Sequence, residues 1–291
     1  MNGTNARGTA GGGSCASGTT IERQIRYSGT SYSDNWQAYT AGSPRDVAAN
    51  QGWRYTFQQQ ARCVGTNANS SWATSGTDAV VRPITFTPSA PSVSTSTNGS
   101  TTTWSWNATS GCPTGTAATY QYRTLQDGGV ATTSWYGPYD SYTSNTLNTS
   151  LQGYQYTREI QTRCFTVFTD GPWSNSGSSS YLRTITTPGT LSNVRLQSMA
   201  QNRSQATLTW DKPTCGAGTV PYGNTTLYMY GGWNPAYSGY GTHSTYVITA
   251  QPPPLPNNFT VGVRGRYKCV NINTSRESAE GSMSPSTTFN I

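Results

Sequence analysis

Three cysteines open the same short motif, C-x-x-G-T, at intervals of about 100 residues: Cys15-Gly18-Thr19, Cys112-Gly115-Thr116 and Cys215-Gly218-Thr219. Three more close a strand-like segment. Gly52-Trp53-Arg54-Tyr55-Thr56 leads to Ala61-Arg62-Cys63, and Gly153-Tyr154-Gln155-Tyr156-Thr157 leads to Thr162-Arg163-Cys164. The third copy, Phe259-Thr260-Val261-Gly262-Val263 to Lys268-Cys269, is more diverged. Trp72 and Trp173 each stand nine residues after the second cysteine and begin W-x-x-S-G-x5-R-x-I, ending in Arg82-Ile84 and Arg183-Ile185. Between its cysteines each copy has a Trp followed closely by a Tyr: Trp36/Tyr39, Trp135/Tyr139 and Trp233/Tyr237. Self-similarity at a fixed period marks an array of like modules. Three units are therefore predicted, at 1–87, 88–187 and 188–291.

Each copy reads as short strands. Tyr55, Phe57, Ala61 and Cys63 share one parity, and Arg54, Thr56, Gln58, Gln60 and Arg62 share the other. That is the period of a strand with one face inward and one in water. Trp104-Ser105-Trp106 and Ala206-Thr207-Leu208-Thr209-Trp210 alternate in the same way. Clusters of Gly, Pro, Asn and Ser separate the runs, and no apolar stripe of helical period intervenes. With 10% of residues charged and 12% aromatic, the chain is too rich in aromatics for simple disorder. No apolar run reaches the roughly 18–20 residues a membrane helix needs. Many short strands between turn signals predict an all-β chain of three tandem β-sandwiches.

Leu208-Thr209-Trp210-Asp211-Lys212-Pro213 resembles the second strand of a fibronectin type III domain, an immunoglobulin-like sandwich whose Trp at that place anchors the core. The later Tyr-rich strand resembles the family's sixth, and the W-x-x-S segment resembles the start of its seventh. The second copy departs from the pattern in having Trp104-Ser105-Trp106 without the Pro, and the family usually lacks disulfides. Tandem disulfide-bearing arrays of this Thr/Ser/Tyr character are similar to segments of large bacterial cell-surface proteins. Six cysteines allow 15 pairings when taken alone. In the resembled fold the C-x-x-G-T loop and the end of the sixth strand share one pole, which implies Cys15–Cys63, Cys112–Cys164 and Cys215–Cys269. Each bridge would close a loop of about 50 residues and contribute about 4 kcal/mol in the chain-entropy picture.

The first unit is expected to be incomplete. Trp106 precedes Cys112 by six residues and Trp210 precedes Cys215 by five, whereas no Trp stands before Cys15. Residues 1–14 show no apolar alternation, so roughly the first two strands are expected to be missing. The plainer explanation is a piece of a longer array cut inside a domain. The other is a second subunit that supplies the strands, since an incomplete sandwich leaves an open edge.

The chemistry-bearing residues are sparse. The net charge of +7 rests on eighteen cations, of which only Lys212 and Lys268 are lysines. The arginines are scattered as solvated strand faces carry them, and not in a stripe for nucleic acid. No C-x-x-C pair exists and His243 is the single His, so neither metal nor cofactor is expected. Eleven carboxylates at positions that do not recur, with no G-x-S-x-G or phosphate loop, argue against an enzyme. The recurring Trp36, Trp135 and Trp233 are expected to pack in cores or between units, although such rings also stack on sugars. Tyr228, Tyr230, Trp233, Tyr237 and Tyr240 form the candidate ligand-contact patch. The whole reads as a structural segment of an extracellular filament, stalk or adhesin at a cell surface. Its expected partners are copies of itself or neighbouring repeats, with no nucleic acid and no membrane span. A carbohydrate- or surface-polymer-binding module and the accessory domains of a secreted hydrolase are the alternatives.

Overall fold

A computed structural model of the chain describes every residue except 2, 10, 30, 31, 128–133, 140–142, 230, 236–239 and 251–253. Among the described residues there are strands and turns and no helix. Three β-sandwiches follow one another, each with two antiparallel sheets facing across a core. In the second unit Thr101–Trp106 lies between Val93–Asn98 and Ser144–Asn148. Its other sheet runs Tyr136–Tyr139, Ala117–Gln126, Gln155–Phe165, Gly177–Leu182. The third unit repeats this order with Ser192–Met199, Gln205–Asp211 and Thr245–Thr249 against a sheet centred on Val220–Met229 and Thr260–Asn271. Along Gln155–Phe165 partly and fully buried residues alternate without a break, with Tyr156, Ile160 and Cys164 inward. This follows from the two-residue period of a strand whose one face meets the core.

Among the described residues the first unit shows one strand fewer than this plan. Asn5–Thr9 pairs with Pro44–Ala48, as Thr101–Trp106 pairs with Ser144–Asn148, so the second strand is present. What is missing among the described residues is the counterpart of Val93–Asn98. The expected loss of two strands is thus corrected to one. The strand escaped the sequence pattern because its inward residues are Ala6 and Gly8, too small to register as an apolar alternation. The register bonds Ala49 N→Thr4 O, Thr149 N→Ser100 O and Ala250 N→Ser204 O align the three copies. Gly8 therefore stands where Trp104 and Leu208 stand in the other units.

The position facing that residue changes in compensation. Six residues before the second cysteine lie Phe57, Arg158 and Val263. Phe57 occupies the space above Gly8, where an added Cβ would overlap its ring. Arg158, 2% exposed, lies with its guanidinium 5.2 Å from the Trp104 ring centre and 4.5 Å from that of Tyr122. It donates hydrogen bonds to Thr124 and Asn145, and burial lowers its pKa below the ordinary guanidinium value. In the third unit Leu208 and Val263 share one apolar cluster with Trp210, Leu227 and Val261. The first core, Ala6, Ile25, Ala49, Tyr55 and Phe57, is the leanest of the three. A small core of this kind depends more on its covalent staple.

Each unit holds one disulfide: Cys15–Cys63, Cys112–Cys164 and Cys215–Cys269, with sequence separations of 48, 52 and 54. Cys164 and Cys269 are fully buried, whereas Cys15 and Cys63 are partly exposed.

Candidate functional site

The two joints between units are built on one plan. At the first, the Gly52 turn has φ of 76°, which favours glycine, and its carbonyl accepts a 3.0 Å hydrogen bond from Thr166 Oγ1 of the next unit. Gln51 Oε1 accepts the backbone N–H of Thr85 at 2.9 Å and of Phe86 at 3.2 Å, fastening the segment that leads into the second unit. Ile84, 4% exposed, is wedged beside Gly52 and Gly171. Trp53 lies over Gly115, the glycine of C-x-x-G-T, so closely that a Cβ there would overlap the indole nitrogen.

The second joint repeats every part. Gly153 has φ of 79°, and its carbonyl accepts from Thr274 Oγ1 and from Arg276, each at 2.9 Å. Gln152 Oε1 accepts Thr186 N and its Nε2 donates to Thr186 Oγ1, both at 2.8 Å. Ile185 takes the place of Ile84, and Tyr154 lies near Gly218 as Trp53 lies over Gly115. This joint is the richer in polar contacts. Asn271 Nδ2 donates to Gln152 O at 2.7 Å, Asn273 Nδ2 to Tyr154 Oη at 2.6 Å, and Arg276 forms an ion pair with Asp127. Backbone turn, glutamine clasp and isoleucine wedge thus recur at both joints. Covalently linked domains without such contacts move relative to one another by default.

The Gly of C-x-x-G-T and the Ile of R-x-I, visible only as repeats in the sequence, are thus joint parts. Gln51 and Gln152 were missed. Their signal was the residue directly before each Gly52 and Gly153, where the third copy has Asn257. Asn258 there adopts φ of 62°, so the third unit keeps the turn without the glutamine.

The second recurring feature lies on the outer face of the larger sheet. Trp36, Trp135 and Trp233 cover Arg26, Arg123 and Arg264 at 4.7, 4.9 and 4.2 Å. Their predicted packing in cores or between units is corrected: they pack on guanidiniums at the sheet surface. Trp72 and Trp173 cover Arg62 and Arg163 in the same manner, at 4.6 and 4.5 Å, and Lys268 lies 4.5 Å from the Tyr240 ring centre. The reason is the parity of the strands. A cation one residue before the inward-pointing second cysteine must point outward, and an aromatic ring lying over it shields both its stem and its charge. Glu22, Glu159, Asp170 and Glu277 neutralise Arg62, Arg123, Arg163 and Lys268. Each exposed stack is worth about 0.5–1 kcal/mol.

Of the candidate ligand patch, Tyr228 and Trp233 are brought together, their rings tilted at 5.4 Å. Tyr240 is placed instead with Lys268 and donates a hydrogen bond to Glu280. Tyr230 and Tyr237 lie outside the described residues. Two of the three described rings therefore already cover cations of the chain itself. Among the described residues no three His, Cys, Asp or Glu side chains converge, and no helix is long and apolar enough to cross a membrane.

No family model matches this chain, and no curated protein matches it. Among solved structures it is similar to the FN1–FN3 domains of chicken CNTN1. The identity is 12% and the TM-score 0.28, over 92% of this chain and 90% of that one. The fold follows from the strand order and register of the three units.

Proposed function

We propose that this chain is a structural segment of an extracellular surface filament, stalk or adhesin, of the kind found in bacterial surface proteins, in which stapled sandwiches hold a fixed reach. The observation that carries the reading is the joint, built twice from the same parts: Gln51, Gly52, Ile84 and Gly115, then Gln152, Gly153, Ile185 and Gly218. A spacer gains reach only if successive modules cannot fold back on one another. The disulfides support an oxidising location, since glutathione keeps thiols reduced in most cytosols.

The same reading has the chain carry no catalysis. Among the described residues nine carboxylates are held in ion pairs with Arg or Lys, which supports a structural use of them. Its partners are neighbouring repeats or copies of itself rather than nucleic acid, a reading supported by the many arginines engaged in ion pairs and aromatic stacks within the chain. Small-angle scattering tests the spacer reading. One narrow distribution of maximum dimension is expected, broadening when Gln51→Ala and Gln152→Ala are combined. A broad distribution in the unaltered chain sinks it. A glycan array addresses the Tyr228–Trp233 pair separately, and a pure spacer gives no signal above background.

A further inference from the structure

We propose that Thr245–Thr249 in the third unit is a pairing edge for the same strand of a second copy, so that two chains join side by side through one continuous sheet. The strand borders its sheet. It runs antiparallel to Gln205–Asp211 without a bulge, and among the described residues no strand lies along its other side. The bonds Trp210 N→Ser244 O and Ala250 N→Ser204 O set the phase of the pairing. Tyr246 and Ile248 therefore turn their backbone groups toward the neighbouring strand, while Val247 and Thr249 turn theirs to the open side. Side chains keep the same period. Ile248 points into the core, whereas Thr245, Val247 and Thr249 are exposed, Val247 at 50%. An uncharged, flat run of β-branched and aromatic residues along an open edge is a template for another strand.

The other two units show the same edge blunted. The register bonds from Ala49, Thr149 and Ala250 align Asp46 and Thr146 with Val247, and Pro44 and Ser144 with Thr245. Pro44 offers no N–H on the open side, and Asp46 carries a charge there, paired with Arg7 at 2.7 Å. In the second unit the outward residues are Ser144, Thr146 and Asn148, all polar, and Thr146 Oγ1 is hydrogen-bonded to Thr103 Oγ1 at 2.9 Å. The third unit alone turns a large apolar side chain outward at this edge. A second copy is the occupant that fits it. Two such strands related by a two-fold axis run antiparallel. Val247 of each then lies opposite Thr249 of the other, with Ile248 at the axis, so the backbone groups on the open side bond reciprocally. The chain carries a net charge of +7, but residues 244–250 carry none, so like strands meet without like-charge repulsion along the edge. So short an edge falls below the area of a stable interface, and the dimer is expected to be weak, with a dissociation constant of about 0.1 mM.

The test uses the 291-residue chain. Sedimentation equilibrium is expected to show the weight-average mass rising about 1.5-fold between about 10 µM and 1 mM chain. Over the same range hydrogen exchange at the Val247 and Thr249 amides is expected to slow about fivefold, as the unpaired fraction falls. Val247→Lys, which restores a charge to the edge, is expected to abolish both effects while the third unit stays folded, since the side chain it replaces is exposed. Val247→Thr copies the second unit and is expected to weaken association with no change in the denaturant midpoint, which covers the case in which the lysine variant fails to fold. A chain that stays monomeric at about 1 mM, ten times the expected dissociation constant, overturns the proposal. So does association that Val247→Lys leaves intact, or protection that falls on Ser144–Asn148 instead. A monomeric chain whose Val247 and Thr249 amides are protected by a synthetic Thr-Val-Thr-Val-Thr peptide would give the edge to a different polypeptide, and overturns the assignment to a second copy. The choice of a like partner rests on the filament reading. Scattering from dilute single chains tests that reading through the joints, so failure of the edge and failure of the spacer are told apart.

Discussion

The glycines of the three C-x-x-G-T motifs separate backbone strain from joint packing. Gly18, Gly115 and Gly218 have φ of 85°, 81° and 82°, so alanine at any of them forces an L-residue into the left-handed region. That costs about 1–2 kcal/mol. What the new Cβ meets differs. At Gly18 it meets nothing within 4 Å, and at Gly218 it makes ordinary contact with Leu151 and Tyr154 at 3.4–3.5 Å. At Gly115 it overlaps the Trp53 indole. Moving that half-buried ring forfeits a further 1–2 kcal/mol or so, roughly half the value of fully burying a large apolar side chain. Gly18→Ala and Gly218→Ala should each destabilise their own unit by about 1–2 kcal/mol and leave the joints closed. Gly115→Ala should destabilise by about 2–4 kcal/mol in all and open the first joint. Hydrogen exchange at Thr85 and Phe86, whose amides are held by Gln51, reads the joint directly. Their exchange should rise at least about tenfold in Gly115→Ala alone, consistent with a loss above 1.4 kcal/mol. Equal exchange at these amides in all three variants would refute the reasoning, because the motif glycine would then serve only its own turn.

The remaining predictions concern the cores and the staples. Arg158→Met should leave the second unit within about 1 kcal/mol of its stability, since it keeps volume and removes a desolvated charge, whereas Arg158→Ala should cost about 3 kcal/mol through the cavity left under Trp104. Exchange across Gln155–Phe165 measures both, and equal losses would mean that the charge itself holds this core. Cys15→Ala with Cys63→Ala should lower the first unit's stability by about 4 kcal/mol, enough to unfold so lean a core selectively, as limited proteolysis before Cys112 would show. Tyr267, which accepts a 2.7 Å hydrogen bond from Trp210 Nε1, has its pKa raised mainly by burial. A phenol whose folded pKa lies above its unfolded value of about 10 contributes stability that is full below that pH and is lost as pH rises through the folded pKa. The third unit should therefore weaken in alkali above about pH 10, as followed by denaturant midpoints. Tyr267→Phe should flatten that dependence.

The array was legible in the sequence because it rests on repetition and parity. A cysteine, a Trp nine residues later and an unbroken inward series such as Tyr156, Ile160 and Cys164 are local signals, and each copy reinforces the next. The joints were half legible. Gly115, Gly218, Ile84 and Ile185 stood in the motifs, but their partners lie in another unit, and nothing local ties Gln152 to Thr186 or Asn271 to the Gln152 carbonyl. The stacked tryptophans were placed wrongly because an indole over a guanidinium reads, in one dimension, like any aromatic beside a strand. What sequence periodicity cannot carry is exchange of volume between facing strands. Gly8 with Phe57, Trp104 with Arg158 and Leu208 with Val263 are three fillings of one space, each balanced only across the sandwich. Read along the chain, Gly8 signals an absent strand and Arg158 a surface charge. Read across it, the glycine makes room for a phenyl ring and the arginine lies under an indole. The second strand of the first unit was hidden for that reason, its inward Ala6 and Gly8 being matched across the sandwich by Phe57.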